Sequence, residues 1–332
     1  MIIFAEESYK MRKKSVVSML AAGILLVMSQ GAFAADDLIL ATGGTTGTYY
    51  AVGNAMQSIL NPVLEQSFLT VTSTGGSKSN IQMLADGSAD LAIVQNDILD
   101  YAYNGTELFS TEGAYDDVFG AVAGLYDEHV QIVTTDPAII TVADLKGKKV
   151  SVGDVGSGTE YNAKQILEAY DLSFSDLDVV NTSFGDAAEG LKSGDLDAAF
   201  IVAGAPTTAV ISLAFTNDIY LVQLDEEHIG KLQENYDFFT EAIIPAGIYK
   251  GLDEDVTTVA VRATLIASND ASEDAVYELL DAIFRNQETL IGENEKFSLL
   301  SVDSASDASL GITVPFHPGA MKFYEEQGIT LE

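Results

Sequence analysis

One arrangement of elements occurs twice in this chain, and it fixes most of what the chain can become. The first copy reads LILATGG, AVGNAMQSILNPVLEQ, LTVTSTGG, NIQMLADG and DLAIVQND; the second reads KKVSVGDVGSGT, EYNAKQILEAYD, LDVVNTSFG, DAAEGLKSG and DLDAAFIVAG. In both, short apolar runs of strand length alternate with helical patterns, which is α/β organisation. Leu84, Gly87, Asp90 and Ala92 return as Leu191, Gly194, Asp197 and Ala199, each 107 residues later. The shared pattern Leu-x-x-Gly-x-x-Asp-x-Ala predicts a helix that ends on a left-handed glycine and a strand that starts directly after it. Asp90 and Asp197 therefore read as turn residues before a strand. Two related lobes follow. Ligands in open α/β sheets sit beyond the carboxyl ends of strands, so Gln95 and Asn96 in the first lobe and Ala203 to Pro206 in the second, with Gly204 and Pro206 foremost, are candidates for a site.

A chain that leaves one lobe, builds the other and returns crosses twice, and a pair of crossing strands is a natural hinge. The pattern puts the crossings near His129 to Thr135 and near Ile243 to Tyr249. Lobe 1 is then 36–135 plus 245–332, and lobe 2 is 136–244. After the return, DAVYELLDAIFRNQETL reads as an amphipathic helix.

Each copy carries a glycine-rich loop between its first strand and first helix: Gly43-Gly44-Thr45-Thr46-Gly47-Thr48-Tyr49-Tyr50 and Gly153-Asp154-Val155-Gly156-Ser157-Gly158-Thr159. Glycines let the backbone turn tightly and approach a solute closely, so that N–H groups and hydroxyls converge on an anion at a helix N-terminus without a cationic side chain. A third segment, Ser73 to Asn80, holds Gly76, Ser77 and Lys78 in the same kind of place. Lys78 reads as a solvated surface lysine with an anion contact as the alternative, and one of Tyr49 and Tyr50 is expected to face the ligand. Neither loop contains Gly-Lys-Ser/Thr or completes Gly-x-Gly-x-x-Gly, which argues against nucleoside triphosphates.

Charge narrows the function further. The 332 residues carry 16 Lys and Arg against 50 Asp and Glu, a formal charge of −34. Nucleic-acid binding is thereby disfavoured, and the overall field does not steer an anion inward, so an anion site must be built from local donors. There is no cysteine, which excludes disulfides, thiol catalysis and thiolate metal sites. His129, His228 and His317 show no metal-ligand spacing and no nucleophile elbow occurs, so neither an enzyme, a metal nor a cofactor is expected. From Met11, where translation is expected to begin, Arg12, Lys13 and Lys14 precede a short apolar run that ends in Ala32-Phe33-Ala34. This reads as a secretory signal peptide over 1–34, cleaved after Ala34, giving a periplasmic protein.

Five segments in order, ATGGTTGTYYAVG, STGGSKSNIQMLADGSADLAIVQND, DLKGKKVSVGDVGSGTE, IIPAGIYKGLDEDV and PFHPGAMKFYEEQG, resemble the TAXI class of solute-binding subunits of tripartite ATP-independent periplasmic (TRAP) transporters. The resemblance implies a type II periplasmic-binding-protein fold, with two hinged lobes around a central ligand cleft. It also implies handover of a small carboxylate, glutamate-, glutamine- or 2-oxoglutarate-like, to a membrane permease driven by an ion gradient. On this resemblance Thr45, Thr46, Gly47, Thr48, Ser77, Gln95, Ser157, Gly158 and Thr159 look like the contacting set, in place of an arginine. The sequence departs from the family's pattern at Asp154-Val155 and Gly247-Ile248-Tyr249. A monomer is expected, since lobes that hinge leave little room for a fixed partner. The alternative is a periplasmic sensing module that presents the same solute to a signalling receptor.

Overall fold

The computed structural model describes residues 36–331. The expected signal peptide lies outside the described residues. Among those residues no helix is long and apolar enough to cross a membrane.

The first copy of the repeat folds as β1 (Asp36–Ala41), α1 (Thr48–Leu60), β2 (Ser67–Thr72), α2 (Ser77–Ala85), β3 (Leu91–Gln95) and α3 (Asn96–Asn104). The long strand β4 (Phe119–Thr134) then carries the chain across. The second copy folds as β5 (Lys149–Ser151), α4 (Gly158–Ala169), β6 (Asp178–Val180), α5 (Phe184–Ser193), β7 (Ala198–Ala203) and α6 (Thr208–Thr216). It is followed by β8 (Tyr220–Leu221), α7 (Glu226–Asn235) and β9 (Thr240–Ile244). The return strand β10 (Val256–Ser268) leads to α8 (Glu273–Arg285), α9 (Gln287–Glu293), α10 (Val302–Ser306) and α11 (Pro318–Glu326).

The strand order β2-β1-β3-β10-β4-β7-β5-β6 repeats itself in mirror order about the crossing strands. In each half the repeat's three strands run parallel, and an antiparallel crossing strand closes the half: β10 on β3, β4 on β7. Every residue of β3 and of β7 is buried, as expected for parallel strands covered on both faces. In the first lobe Val52 and Met56 of α1 meet Leu279 and Ile283 of α8 and Phe323 of α11 on one face, while Ile81, Leu84, Ile98 and Leu99 pack on the other. The second lobe repeats this with Ile166, Leu167 and Leu232 on one face and Leu191, Val210 and Leu213 on the other. Each such side chain contributes roughly 1.5–3 kcal/mol on burial.

The repeated aspartates explain themselves. Asp90 N–H donates to the Ile39 carbonyl at 2.9 Å while Asp90 Oδ2 accepts from Ile39 N–H at 2.8 Å. Asp197 does the same to Lys149, at 2.9 and 2.7 Å. Each carboxylate is a clamp that fixes the start of its strand against the repeat's first strand, and Gly87 and Gly194 precede them at φ 74° and 78°.

The crossings differ in place from the sequence reading on the return side. β4 exchanges its partner β10 for β7 at His129, but the return lies inside β10. Its residues Val256–Ala260 pair with β9 and Ala263–Ala267 with β3. Tyr249, Leu252 and Val256 pack in the second lobe's cluster beside Val133 and Leu213. Residues 245–256 therefore belong with lobe 2, because the β9–β10 hairpin is completed there before the chain crosses.

Candidate ligand cleft

The carboxyl ends of the strands of both lobes face a common cleft of about 60 Å³, lined by Gly43, Gly44, Tyr49, Gly75, Gly76, Ser77, Gln95, Glu128, Asp154, Ser157, Gly158, Thr159, Phe184, Val202 and Ala203. One water needs roughly 10–15 Å³ on such a measure, so the cleft as it stands holds only a few. The lobes are closed on each other. Thr48 Oγ1 donates to the Gly204 carbonyl at 2.9 Å, Ala209 N–H to the Thr46 carbonyl at 3.2 Å, and Lys296 Nζ to the Ala205 carbonyl. Deeper between the lobes, Asn162 Nδ2 donates to Asp97 Oδ2 at 2.7 Å and Gln165 Nε2 to the Tyr101 hydroxyl at 3.2 Å.

The loops are held by one buried amide. Asn80 Nδ2 donates to the carbonyls of Thr42 at 2.6 Å and Ile93 at 2.7 Å, and Asn80 Oδ1 accepts from Thr74 Oγ1 at 2.5 Å, so that α2 ties together the ends of β1, β2 and β3. Gly47 precedes α1 and Gly76 precedes α2, and neither helix has a side-chain cap. The first-turn N–H groups of Thr48, Tyr49, Tyr50, Ser77, Lys78 and Ser79 donate to no carbonyl among the described residues. In α4, Ser157 accepts from Glu160 N–H, and the N–H groups of Gly158 and Thr159 are left over. These are the donors and partial positive charges that a bound anion needs.

Gly76 adopts φ 105°, a backbone conformation that calls for glycine, beside Ser157 of the other lobe. At Gly158 an added Cβ would stand 1.8 Å from Gln95 Oε1, so a larger residue there forces the Gln95 side chain or the lobes to shift.

Among the described residues no lysine, arginine or histidine lines the cleft, whereas two carboxyl groups do. Glu128 comes from β4 and is 2% exposed; Tyr49 hydroxyl donates to its Oε1 at 2.6 Å. Burial pushes the Glu128 carboxyl well above the usual carboxylate range, against the lowering by Tyr49 and the Gln95 amide, and Asp97 adds to the rise. Burial likewise raises Asp97 to about 6, opposed by the Asn162 bond. At the rim, burial and then Asp186 raise Asp154.

Of the residues expected from the sequence, Gly44, Tyr49, Gly76, Ser77, Gln95, Ser157, Gly158 and Thr159 stand at the cleft. Thr46, Gly47, Thr48, Gly204 and Pro206 do not line it. Thr46 and Gly47 pack on Gly185 and Phe184, Thr48 bonds Gly204, and Pro206 follows the cis bond after Ala205, all in the seam between lobes. Thr45 is exposed and Tyr50 half-buried, and neither reaches the cleft. Asn96 points away, its Oδ1 accepting from Arg262 N–H at 2.9 Å behind the crossing strands. Lys78 pairs with Glu112 and donates to the Leu108 carbonyl. Glu128 was missed by sequence reasoning; its only signal is an acid in the strand-like run FGAVAGLYDEHVQIV, where Asp127 stands beside it.

A family model described as the NMT1-like family matches residues 40–328. A solved structure from Bordetella bronchiseptica RB50 is 18% identical, covers 87% of this chain and 82% of its own, and superposes with a TM-score of 0.51. The alkanesulfonate-binding protein SsuA from Xanthomonas axonopodis pv. citri, bound to MOPS, is 16% identical over 89% of this chain and 92% of its own, with a TM-score of 0.50. At such identities a structural likeness carries the fold, while the family model spans nearly the whole described chain. The chain belongs to the NMT1-like family, and it shares its two-lobed α/β fold with these two structures.

Proposed function

We propose that this protein is exported, captures a small carboxylate-bearing solute in the cleft between its lobes, and delivers it to the membrane permease of a TRAP transporter. The observation that carries this reading is the convergence of three helix N-termini, at Tyr49 and Ser77 without a side-chain cap and at Gly158 with free N–H groups beside the Ser157 cap, on a cleft with no cationic side chain among the described residues. Such a cradle suits a carboxylate, because each N–H to a charged oxygen is worth about 1.5–3 kcal/mol. The hydroxyls of Ser77, Ser157 and Thr159 add donors that turn toward either oxygen. The open form exposes both loops; the solute docks on one lobe, and closure completes its shell with donors from the other.

The test is a thermal-shift screen of ligand-stripped protein against carboxylates, amino acids, sugars and phosphate esters. A solute bound by the native state alone stabilises it by about 2.7 kcal/mol at a hundred times its Kd. Carboxylates alone are expected to shift the transition; a shift by a sugar or phosphate ester and by no carboxylate refutes the reading. The transporter half rests on the ordered segments that resemble TAXI subunits. It is tested by solute uptake into vesicles holding the permease, which should run on an ion gradient without ATP.

A further inference from the structure

The lobes also meet on a buried acid outside the cleft. Asp97, in the first turn of α3, is 1% exposed and does not line the cleft. Asn162, on α4 of the other lobe, is fully buried against it. Its Nδ2 donates to Asp97 Oδ2 at 2.7 Å and to Gln165 Oε1 at 3.1 Å, which uses both amide hydrogens, while Asp97 Oδ1 accepts from Ile98 N–H at 2.8 Å. One group is left over. Asn162 Oδ1 is buried and has no hydrogen-bond partner among the described residues. An amide that faces a carboxyl is satisfied on both of its atoms when the carboxyl carries a proton, because an N–H bond and an O–H bond then run in opposite directions between them. With an ionised carboxyl the Oδ1 acceptor stays orphaned, which is costly in a buried place.

The surroundings favour the proton. Asp100 and Tyr101 stand near Asp97 on its own helix and Glu128 on β4, whereas α4 presents the neutral amides of Asn162 and Gln165. The remaining charged side chains of the elements packed here are engaged elsewhere: Lys78 of α2 with Glu112, Glu107 with Tyr161, Glu160 of α4 with Asn181, Lys164 with Glu168, and Arg262 of β10 with Asp127. Burial first, against the bonds from Asn162 and Ile98 and with a smaller push from Asp100, raises the Asp97 carboxyl to about 6.

We propose that Asp97 and Asn162 form a proton-operated latch between the lobes: the closed form holds a proton on Asp97, and opening gives it up to water. The proposal rests on the reading of the cleft as a capture site and adds the regulation of that site. Opening parts α3 from α4 and returns Asp97 to solvent, where its carboxyl has the ordinary value of 3.8. A value higher in the closed form than in the open one favours closure fully below about pH 4, and the advantage is lost as pH rises through about 6. The whole span amounts to about a hundredfold in the closing equilibrium, and the part between pH 4.5 and 7.5 to about twentyfold. Capture is therefore tightest in acid, and release is eased toward neutrality, with the loops that hold the solute unchanged.

Closure is read without any solute by energy transfer between dyes on Ser88→Cys in lobe 1 and Ser212→Cys in lobe 2, both exposed, in the full, ligand-stripped chain, which has no other cysteine. Acidification from pH 7.5 to 4.5 should raise the closed-to-open ratio about twentyfold. Asp97→Asn, whose amide donates to Asn162 Oδ1 at every pH, should be as closed at pH 7.5 as the parent is at 4.5 and should no longer respond. Adding Asn162→Asp to it moves the acid to the other lobe and should bring the response back, which a variant merely damaged in folding does not do. In titrations with glutamate and 2-oxoglutarate, the Kd of the parent divided by that of Asp97→Asn should fall about twentyfold over the same range, a ratio in which the solute's own titration cancels. A parent whose lobes ignore pH, or an Asp97→Asn protein that responds as the parent does, overturns the latch. Acid-driven closure that Asp97→Asn abolishes, with neither solute bound at any pH, upholds the latch and counts against the carboxylate reading.

Discussion

Gly158→Ala is the substitution that separates closure from folding. An added Cβ would stand 1.8 Å from Gln95 Oε1 and 2.4 Å from Gln95 Cδ in the closed form. Gln95 is 2% exposed and lines the cleft, so either its side chain turns out of its rotamer into the space the solute needs or the lobes stay apart. Overpacking of this kind costs about 1–3 kcal/mol, which converts to a Kd raised about 5- to 150-fold. Each lobe on its own has no objection to alanine. Gly158 is the first residue of α4 and is not among the residues with positive φ, and alanine is the better helix former by at most about 1 kcal/mol. The ligand-free protein should therefore melt at the same temperature or up to about 4 °C higher, while titration calorimetry with the best solute shows the loss of affinity. A double-mutant cycle sharpens the test. The clash exists only while Gln95 is present, so Gly158→Ala combined with Gln95→Ala should bind no worse than Gln95→Ala alone. If Gly158→Ala binds like the parent, or the two losses simply add, the closed contact described here does not govern binding.

The remaining predictions follow from the same geometry. Thr159→Ala and Gln95→Ala should each weaken the solute at least about tenfold with little change in the melting temperature of the ligand-free protein; unchanged affinity in both removes these residues from the site. Asp90→Ala and Asp197→Ala should each lower stability by about 1–3 kcal/mol in urea titrations, through the orphaned N–H groups of Ile39 and Lys149, and leave the Kd within about twofold; a large change in Kd with intact stability would contradict the clamp. For Asp97, burial raises the carboxyl from 3.8 to about 6, so the folded protein holds a proton that the unfolded chain gives up between those values. Its stabilising contribution is thus full below about pH 4 and lost as pH rises through 6, a difference of roughly 3 kcal/mol. Asp97→Asn should shrink the fall in melting temperature between pH 4.5 and 7.5; an undiminished fall would place its cause elsewhere.

What the sequence announces and what it conceals divide along physical lines. A left-handed glycine before a clamp aspartate is local chemistry, so Gly87-x-x-Asp90 and Gly194-x-x-Asp197 were legible, and with them the two α/β copies. Glycine loops that end on a helix are legible for the same reason. What such a loop does on closure is not, because Thr48 and Tyr49 are adjacent in the chain and yet one bonds Gly204 in the seam while the other reaches Glu128 in the cleft. Only the relative placement of the lobes decides between those fates. The return crossing was displaced because β10 runs on as one strand from lobe to lobe, and a single polar residue, Arg262, stands between the residues that pair with β9 and those that pair with β3. Glu128 was hidden by company. It follows Asp127 in a chain with 50 acidic residues, and pleat alternation buries the second acid and exposes the first only once the face of β4 is known.

The repeat and its exception then divide the work of recognition. Duplication supplies two glycine loops and so two sets of backbone donors, one on each lobe, which is what a cleft that closes on an anion requires. Donors of that kind are indifferent to the rest of the solute, since any carboxylate satisfies an N–H group. Discrimination has to come from a residue without a counterpart in the other copy, and β4 lies between the copies instead of within either. Glu128 is there, beyond the reach of the repeat's symmetry and at the point where the strand passes from one lobe to the other. A change at that position should alter which solute is held while sparing the loops that hold it. Substitutions in the loops should weaken every solute alike.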